Sequence, residues 1–258
     1  MSSPTSPPLV LITGGSRGIG AATACLAARR GWDVAINFVR DRAAAEQVAA
    51  QVRERGRRAL VLRADVQSDN DVRAMFAALD AARAAGDVGP LRGLVNNAGV
   101  VDAAARVDEM TPERLQRMFG VNVLGSFSCA REALHRMSTR HGGAGGAIVN
   151  VSSVASRLGS PGEYVDYAAA KGAIDTFTIG LAREVAREGV RVNAVRPGIT
   201  DTDIHASGGQ PDRAQRLAPN IPMGRPGTAE EIAHTIVWLL SDEAAYVSGA
   251  LLDASGAR

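Results

Sequence analysis

Cysteine is nearly absent from this chain of 258 residues: Cys25 and Cys129 lie far apart, each in an alanine-rich stretch. With no Cys-x-x-Cys pair they argue against a disulfide framework, and they read as two reduced, packed thiols of a cytoplasmic protein. Aromatic residues are also few, at 4%. The core must be built from Ala, Val, Leu and Gly, which suits helices packed tightly on a buried sheet. No apolar run approaches the length of a membrane span. The opening "MSSPTSPP" lacks the basic start and apolar stretch of a secretion signal, and reads as a disordered tail over residues 1–8. A strong charge of one sign is missing as well, since 29 basic and 27 acidic side chains leave only +2. The cluster "RERGRR", Arg53 to Arg58, reads as a solvated helix end. Neither a nucleic acid nor a membrane surface is expected as a partner.

What the sequence has is alternation. Short β-branched runs such as "LVLIT" (Leu9 to Thr13), "DVAINF" (Asp33 to Phe38) and "AIVNVSS" (Ala147 to Ser153) take turns with long amphipathic stretches. The runs are apolar at nearly every position, as in strands buried on both faces. About seven strands are expected in a Rossmann-like, doubly wound parallel sheet with helices on both faces. No linker divides the chain, so residues 9–258 read as one domain. Thr111 followed by Pro112 opens the longest helix, through about Arg140, and "GGAGG" stops it. A second long helix is expected from Tyr164 to Arg187, and an irregular segment from Pro197 to Gly227.

Between the first strand and the first helix lies "TGGSRGIG", Thr13 to Gly20. Gly14, Gly18 and Gly20 let the backbone turn sharply and approach a pyrophosphate, and the helix behind them presents unpaired N–H groups to the anion. A P-loop is excluded, because no Gly-Lys-Ser/Thr follows.

Two of the three tyrosines sit in "EYVDYAAAKG", with Lys171 behind them. A phenol near its reference pKa of about 10 is a poor base, and lowering it by about three units takes roughly 4 kcal/mol of preference for the phenolate. A lysine one helical turn away can supply part of that, because residues at i and i+4 share a face. Tyr167 and Lys171 have this relation. Tyr164 is seven residues from Lys171, about 10 Å along a helix, and reads as a core or pocket-wall residue.

The glycine turn, "NNAGV" (Asn96 to Val100) and Tyr-x-x-x-Lys at Tyr167 and Lys171 together resemble the short-chain dehydrogenase/reductase family, in its single-domain branch. The resemblance runs from Val10 to about Gly256. It takes in "DV" at Asp65 and Val66, "GVNVLG" around Asn122, "VSS" ending at Ser153, "RPGIT", and the closing "IPMGRPG…EEIA…SDEAAYVSG". Members similar to this chain include 3-oxoacyl-carrier-protein reductases and glucose 1-dehydrogenase-like enzymes.

The resemblance implies a catalytic set. Tyr167 would exchange a proton with the substrate oxygen, and Ser153 would hydrogen-bond that oxygen. Lys171 would lower the tyrosine pKa and hold the nicotinamide ribose, while Asn122 would position a water that relays protons. Ser153 stands fourteen residues before Tyr167, where thirteen is common, so one inserted residue is expected within "RLGSPGEYV". Ser152 is set aside, because side chains alternate along a strand.

For the cofactor, the resemblance implies Gly14, Ser16, Arg17, Gly18, Ile19 and Gly20 around the pyrophosphate. Asp65 and Val66 would meet the adenine, and Asn97, Ala98 and Gly99 would pass under the ribose. Pro197, Gly198, Ile199 and Thr202 would fix the carboxamide. Phe38 occupies the strand end where NAD users carry an acid, and Arg17 and Arg40 lie nearby. NADP(H) is therefore expected over NAD(H), which stays possible. No metal is expected. "DTDIH" (Asp201, Asp203, His205) falls in the lid segment, and His135, His141 and His234 have no zinc-like spacing.

The resulting expectation is an NADP(H)-dependent oxidoreductase of carbonyls and secondary alcohols, a homotetramer with a small-molecule substrate. A catalytically silent sensor or scaffold would be marked by loss of Tyr or Lys, and both are present. A sugar-nucleotide epimerase would need a larger C-terminal region than the sixty or so residues after Pro197.

Overall fold

Every buried apolar run of the sequence becomes a strand of one sheet. The structure, a computed structural model, describes residues 6–258 apart from the side chain of His205. The strands are β1 (Leu9–Ile12), β2 (Asp33–Phe38), β3 (Ala59–Arg63), β4 (Leu91–Asn96), β5 (Gly146–Val151), β6 (Val190–Pro197) and β7 (Leu251–Ala254). They are all parallel, in the order β3-β2-β1-β4-β5-β6-β7. Pro8 already accepts a hydrogen bond from Asp33, and Pro7 lies against Gly89, so the chain meets the sheet slightly ahead of β1.

The helices are α1 (Gly18–Arg29), α2 (Arg42–Glu54), α3 (Asp69–Ala84), α4 (Pro112–Phe119), α5 (Gly125–Met137), α6 (Ala155–Leu158), α7 (Val165–Val185), α8 (Ile204–Ser207), α9 (Arg213–Leu217) and α10 (Ala229–Leu240). Strand side chains alternate between two cores. Val10 and Ile12 face α1, α2 and α10, whereas Leu9 and Leu11 face α3, α5 and α7. The expected doubly wound sheet is the one observed. Among the described residues no helix is long and apolar enough to cross a membrane. Cys25 and Cys129 are both free and buried.

Two expectations change in detail. The long helix after Thr111 is not one α-helix, because a π-turn over Gly120–Leu124 separates α4 from α5. Glycine brackets that turn for steric reasons: a Cβ on Gly125 would lie 2.7 Å from Val66, and one on Gly120 would lie 2.8 Å from Gln67. The segment after Pro197 is not wholly irregular, since it carries α8 and α9. In the middle of the sheet the winding reverses between β1 and β4. Connections leave there in opposite directions, and a crevice opens beyond the strands' carboxyl ends.

Candidate active site

The glycine turn sits in that crevice. Gly14 and Gly18 have φ of +60° and +53°, which favour glycine. A Cβ on Gly20 would fall 2.5 Å from the Gly14 carbonyl. Two asparagines at the ends of neighbouring strands hold the turn. Gly14 N–H donates to Asn37 Oδ1 at 3.2 Å, and Asn37 Nδ2 donates to the Ala64 carbonyl at 2.9 Å. Asn97 Nδ2 donates to the carbonyls of Thr13 and Gly14 at 2.9 and 3.0 Å, and the Thr13 hydroxyl accepts from Asn97 and Ala98 N–H. Helices α2, α3, α4 and α10 begin with a side-chain cap, but α1 begins at Arg17 with none. A narrow glycine cradle leading to uncapped N–H groups fits the pyrophosphate of a dinucleotide.

The remaining cofactor candidates surround that cradle. Ser16 and Ile19 lie in the turn itself, and Ile19 and Thr202 line the same cavity. Val66 is buried and Asp65 is half-buried beyond β3. Gly99 is pinched, since a Cβ there would lie 2.9 Å from Asn122 Oδ1 and 3.7 Å from Lys171 Nζ. Pro197, Gly198 and Ile199 close the opposite wall. At the end of β2, Phe38 is buried. The next acid, Asp41, turns its carboxylate to Ala44 N–H as the cap of α2. Arg17 and Arg40 are exposed, and Arg17 Nη2 reaches Ser207 at 3.3 Å.

Ser153, Tyr167 and Lys171 converge on one cavity of about 160 Å³. Ser153 follows β5 and is hydrogen-bonded to the Tyr167 phenol. Ser152 points the other way, donating to Asp175 at 2.7 Å and to the Lys171 carbonyl at 3.2 Å. Lys171 Nζ donates to the Val151 carbonyl at 2.7 Å and lies 5.5 Å from the Tyr167 ring centre.

The electrostatics of the pair differ from the sequence expectation. Burial pushes the Tyr167 phenol up to about 12, and the hydrogen bond with Ser153 opposes it only in part. Burial also pulls Lys171 down to about 8, against the pull of Asp175. Burial dominates at both groups, and the Lys171 ammonium is turned to the Val151 carbonyl.

Asn122 lies in the π-turn. Its amide donates to the carbonyls of Val100 and Met118, both at 3.0 Å, and its Oδ1 accepts from Val100 N–H at 3.1 Å. The side chain therefore ties the "NNAGV" loop to the helix. Between Ser153 and Tyr167 the chain passes through a loop where Gly159, Ser160 and Gly162 all have positive φ.

Sequence reasoning missed several residues that position these groups. Arg114 of α4 grips Asp166 with two bonds, of 2.8 and 3.2 Å, and Asp166 Oδ1 also accepts from Tyr167 N–H. Asp175 is gripped by Arg196 at 2.9 Å. Asn37 sat unremarked one residue before Phe38. Tyr164 is both buried and a wall of the cavity, with its hydroxyl accepting from Gln210 at 2.7 Å. No three His, Cys, Asp or Glu side chains gather as a metal site among the described residues, and the His205 side chain lies outside them.

A family model described as enoyl-(acyl carrier protein) reductase matches residues 14–256. "Uncharacterized oxidoreductase YgfF" of Escherichia coli is 54% identical over 97% of this chain and 99% of its own. The "NADPH-dependent aldehyde reductase-like protein, chloroplastic" of Arabidopsis thaliana is 33% identical over 99% of this chain and 97% of its own. Among solved structures, a short-chain dehydrogenase/reductase of Mycobacterium marinum superposes with a TM-score of 0.88 at 31% identity, covering 97% of this chain and 95% of the other. With this sheet order, this glycine turn and these relatives, the chain belongs to the short-chain dehydrogenase/reductase family, alcohol and carbonyl oxidoreductases that use nicotinamide cofactors.

Proposed function

We propose that this protein interconverts a carbonyl and a secondary alcohol with NADP(H), using Tyr167 as the acid/base. The observation that carries the proposal is the single cavity shared by Ser153, Tyr167, Lys171 and the wall of the glycine turn. When bound, the nicotinamide gives or takes the hydride. Every proton step falls to the chain. A phenol held near 12 keeps its proton at neutral pH, so Tyr167 is ready to donate to a carbonyl oxygen as negative charge develops there. Ser153 offers that oxygen a second hydrogen bond, directed at the developing charge. Lys171, close beside Gly99, would hold the ribose. Asn122 contributes by fixing the loop under that ribose. Both amide hydrogens are taken by backbone carbonyls, so relay of a proton through a water would use other atoms of the π-turn.

The preference for NADP(H) rests on the strand end. A 2′-phosphate there would meet Arg17 and Arg40, with no acid side chain turned toward it. One relative is named as NADPH-dependent, which supports this preference. We take the working protein to be a cytoplasmic homotetramer acting on a small molecule. A panel of ketones, aldehydes and secondary alcohols, followed by absorbance of the reduced nicotinamide, tests the reaction. Turnover of none of them with either cofactor would reject it. Arg17→Ala with Arg40→Ala tests the cofactor: NADPH binding should weaken by about 2–4 kcal/mol while NADH binding barely moves. Equal losses for both would remove the 2′-phosphate from the account.

A further inference from the structure

At the outer end of the cavity stands a buried cation that the hydride chemistry does not use. Arg213 opens α9, is only 9% exposed, and lines the cavity. Its guanidinium lies 5.1 Å over the Tyr164 ring, and Nη2 donates to Glu163 Oε2 at 2.7 Å. Nη1 is sealed from solvent and has no hydrogen-bond partner. A buried N–H of a charged group left unpaired destabilises the fold, and a ligand oxygen placed there would relieve it. The surroundings favour an anion. Arg213, Arg216 and Arg258 together hold the Glu163 carboxyl below its ordinary range. Arg258 lines the cavity too, and of the acids beside α9, Asp212 lies 3.9 Å from Arg216 and Asp201 accepts from Gln215 at 3.3 Å. Glu163 occupies one edge of the Arg213 fork and leaves Nη1 unpaired.

We propose that Arg213 reads a carboxylate, so that the substrate is an oxo acid, or the matching hydroxy acid in the reverse direction. This inference rests on the oxidoreductase reading above. Spacing then limits which acids fit. Tyr164 stands just before α7 and Tyr167 in its first turn, and the Arg213 guanidinium lies against the Tyr164 ring. Arg213 contacts Glu163 and Tyr164 rather than Tyr167 or Ser153, so on this proposal the acid group stands several bonds from the reacting carbon, farther than in a 2-oxo acid. Val101, Val154 and Leu158 line the cavity, and suit an aliphatic spacer. Guanidinium and carboxylate are planar and match in a fork, so lysine at this position would be a poor replacement.

The test compares free oxo acids with their methyl esters, from 4-oxopentanoate to 7-oxooctanoate, with pyruvate as the short control. Wild-type protein should prefer a free acid to its ester by about tenfold to a hundredfold in kcat/KM, and should turn over pyruvate poorly. Arg213→Met should abolish that preference by lowering kcat/KM for the acid, with the ester changed by less than about threefold. Arg213→Lys should keep only part of it. Glu163→Gln frees the fork and should lower KM for the acid. A purely structural clamp predicts the opposite, equal losses on acid and ester in both Arg213→Met and Glu163→Gln, and that result would overturn the proposal. So would equal rates for acid and ester in the wild type. Calorimetry with hexanoate, which holds no carbonyl to reduce, separates the two readings. Hexanoate binding that Arg213→Met weakens by about tenfold keeps the carboxylate site even if no oxo compound turns over. Turnover of neutral ketones without hexanoate binding keeps the oxidoreductase and discards the site.

Discussion

Lys171 is the single lysine among 29 basic side chains, all the others being arginine. An arginine there would keep its charge at any accessible pH, whereas a buried ammonium moves its pKa readily. Burial brings Lys171 from 10.5 down to about 8. Because the residue is unique, lysine labelled with ¹³C gives one side-chain Cε signal, and its titration in the cofactor-free protein should have a midpoint near 8. A midpoint at 10 or above would mean that the ammonium is not desolvated as described. The linkage to stability has a definite sign. Between about 8 and 10.5 the unfolded chain holds the proton and the folded chain has lost it, so this group adds stability as pH rises through that window. Below 8 both states are protonated and the contribution is gone. The neighbouring phenol is pushed the other way, up to about 12, which keeps its proton in place for donation. Tyr167→Phe should therefore lower kcat by two orders of magnitude or more while leaving NADPH affinity within about threefold, since the ring still packs. Retention of a tenth of wild-type kcat would reject Tyr167 as the acid/base. Tyr164→Phe loses only the bond to Gln210 and should cost far less.

At the scale of elements, the start of α7 is fixed by α4 through the Arg114–Asp166 pair, whose side chains are 10% and 0% exposed. Breaking one partner of a buried pair leaves the other charge uncompensated, so Asp166→Asn should destabilise the protein by about 3 kcal/mol. It should also lower kcat, because Asp166 Oδ1 holds Tyr167 N–H. Denaturant unfolding and steady-state rates would check both, and an unchanged midpoint would show the pair to be ornamental. No pattern in the sequence marks this contact, which joins residues 52 apart on separate helices. The strands were legible because parallel strands buried on both faces are apolar at every position. The glycine turn and the Tyr-Lys pair were legible because their chemistry is local, within one turn of chain. Asn37 was not, since a buried polar residue at a strand end looks in sequence like an exposed one. The π-turn left little trace. It inserts into "FGVNVLG", where apolar residues flank it on both sides and the one polar residue, Asn122, is the only mark of a changed period. The positive φ of Ser160, +46°, was not legible either, since nothing in a serine's identity marks a left-handed backbone.

For the whole molecule, two groups of exposed apolar residues stand out. Phe119, Leu124 and Phe127 on α4, the π-turn and α5, with Val165 on α7, are 37%, 60%, 46% and 37% exposed. Phe127 stacks on Phe177 of α7 at 3.8 Å, so the two helices present one surface. Gly172 and Gly180 on α7 face open space, which would let a second helix approach closely. A contiguous apolar face of this kind marks an interaction surface. A second set lies near the last strand, where Tyr246 is fully exposed, Met223 is 69% exposed, and β7 is an edge of the sheet. Two different faces, each meeting its own copy across a two-fold axis, build a tetramer with dihedral symmetry. Light scattering at micromolar concentration should give a mass near four chains of 26.8 kDa. A two-fold axis makes each substitution count twice in its interface. Leu124→Glu with Phe127→Glu should therefore remove one interface completely and leave a dimer held by the other. A wild-type mass of one chain would sink the assembly altogether. A wild-type dimer that the double variant splits to monomer would keep the helical face and discard the one beside β7.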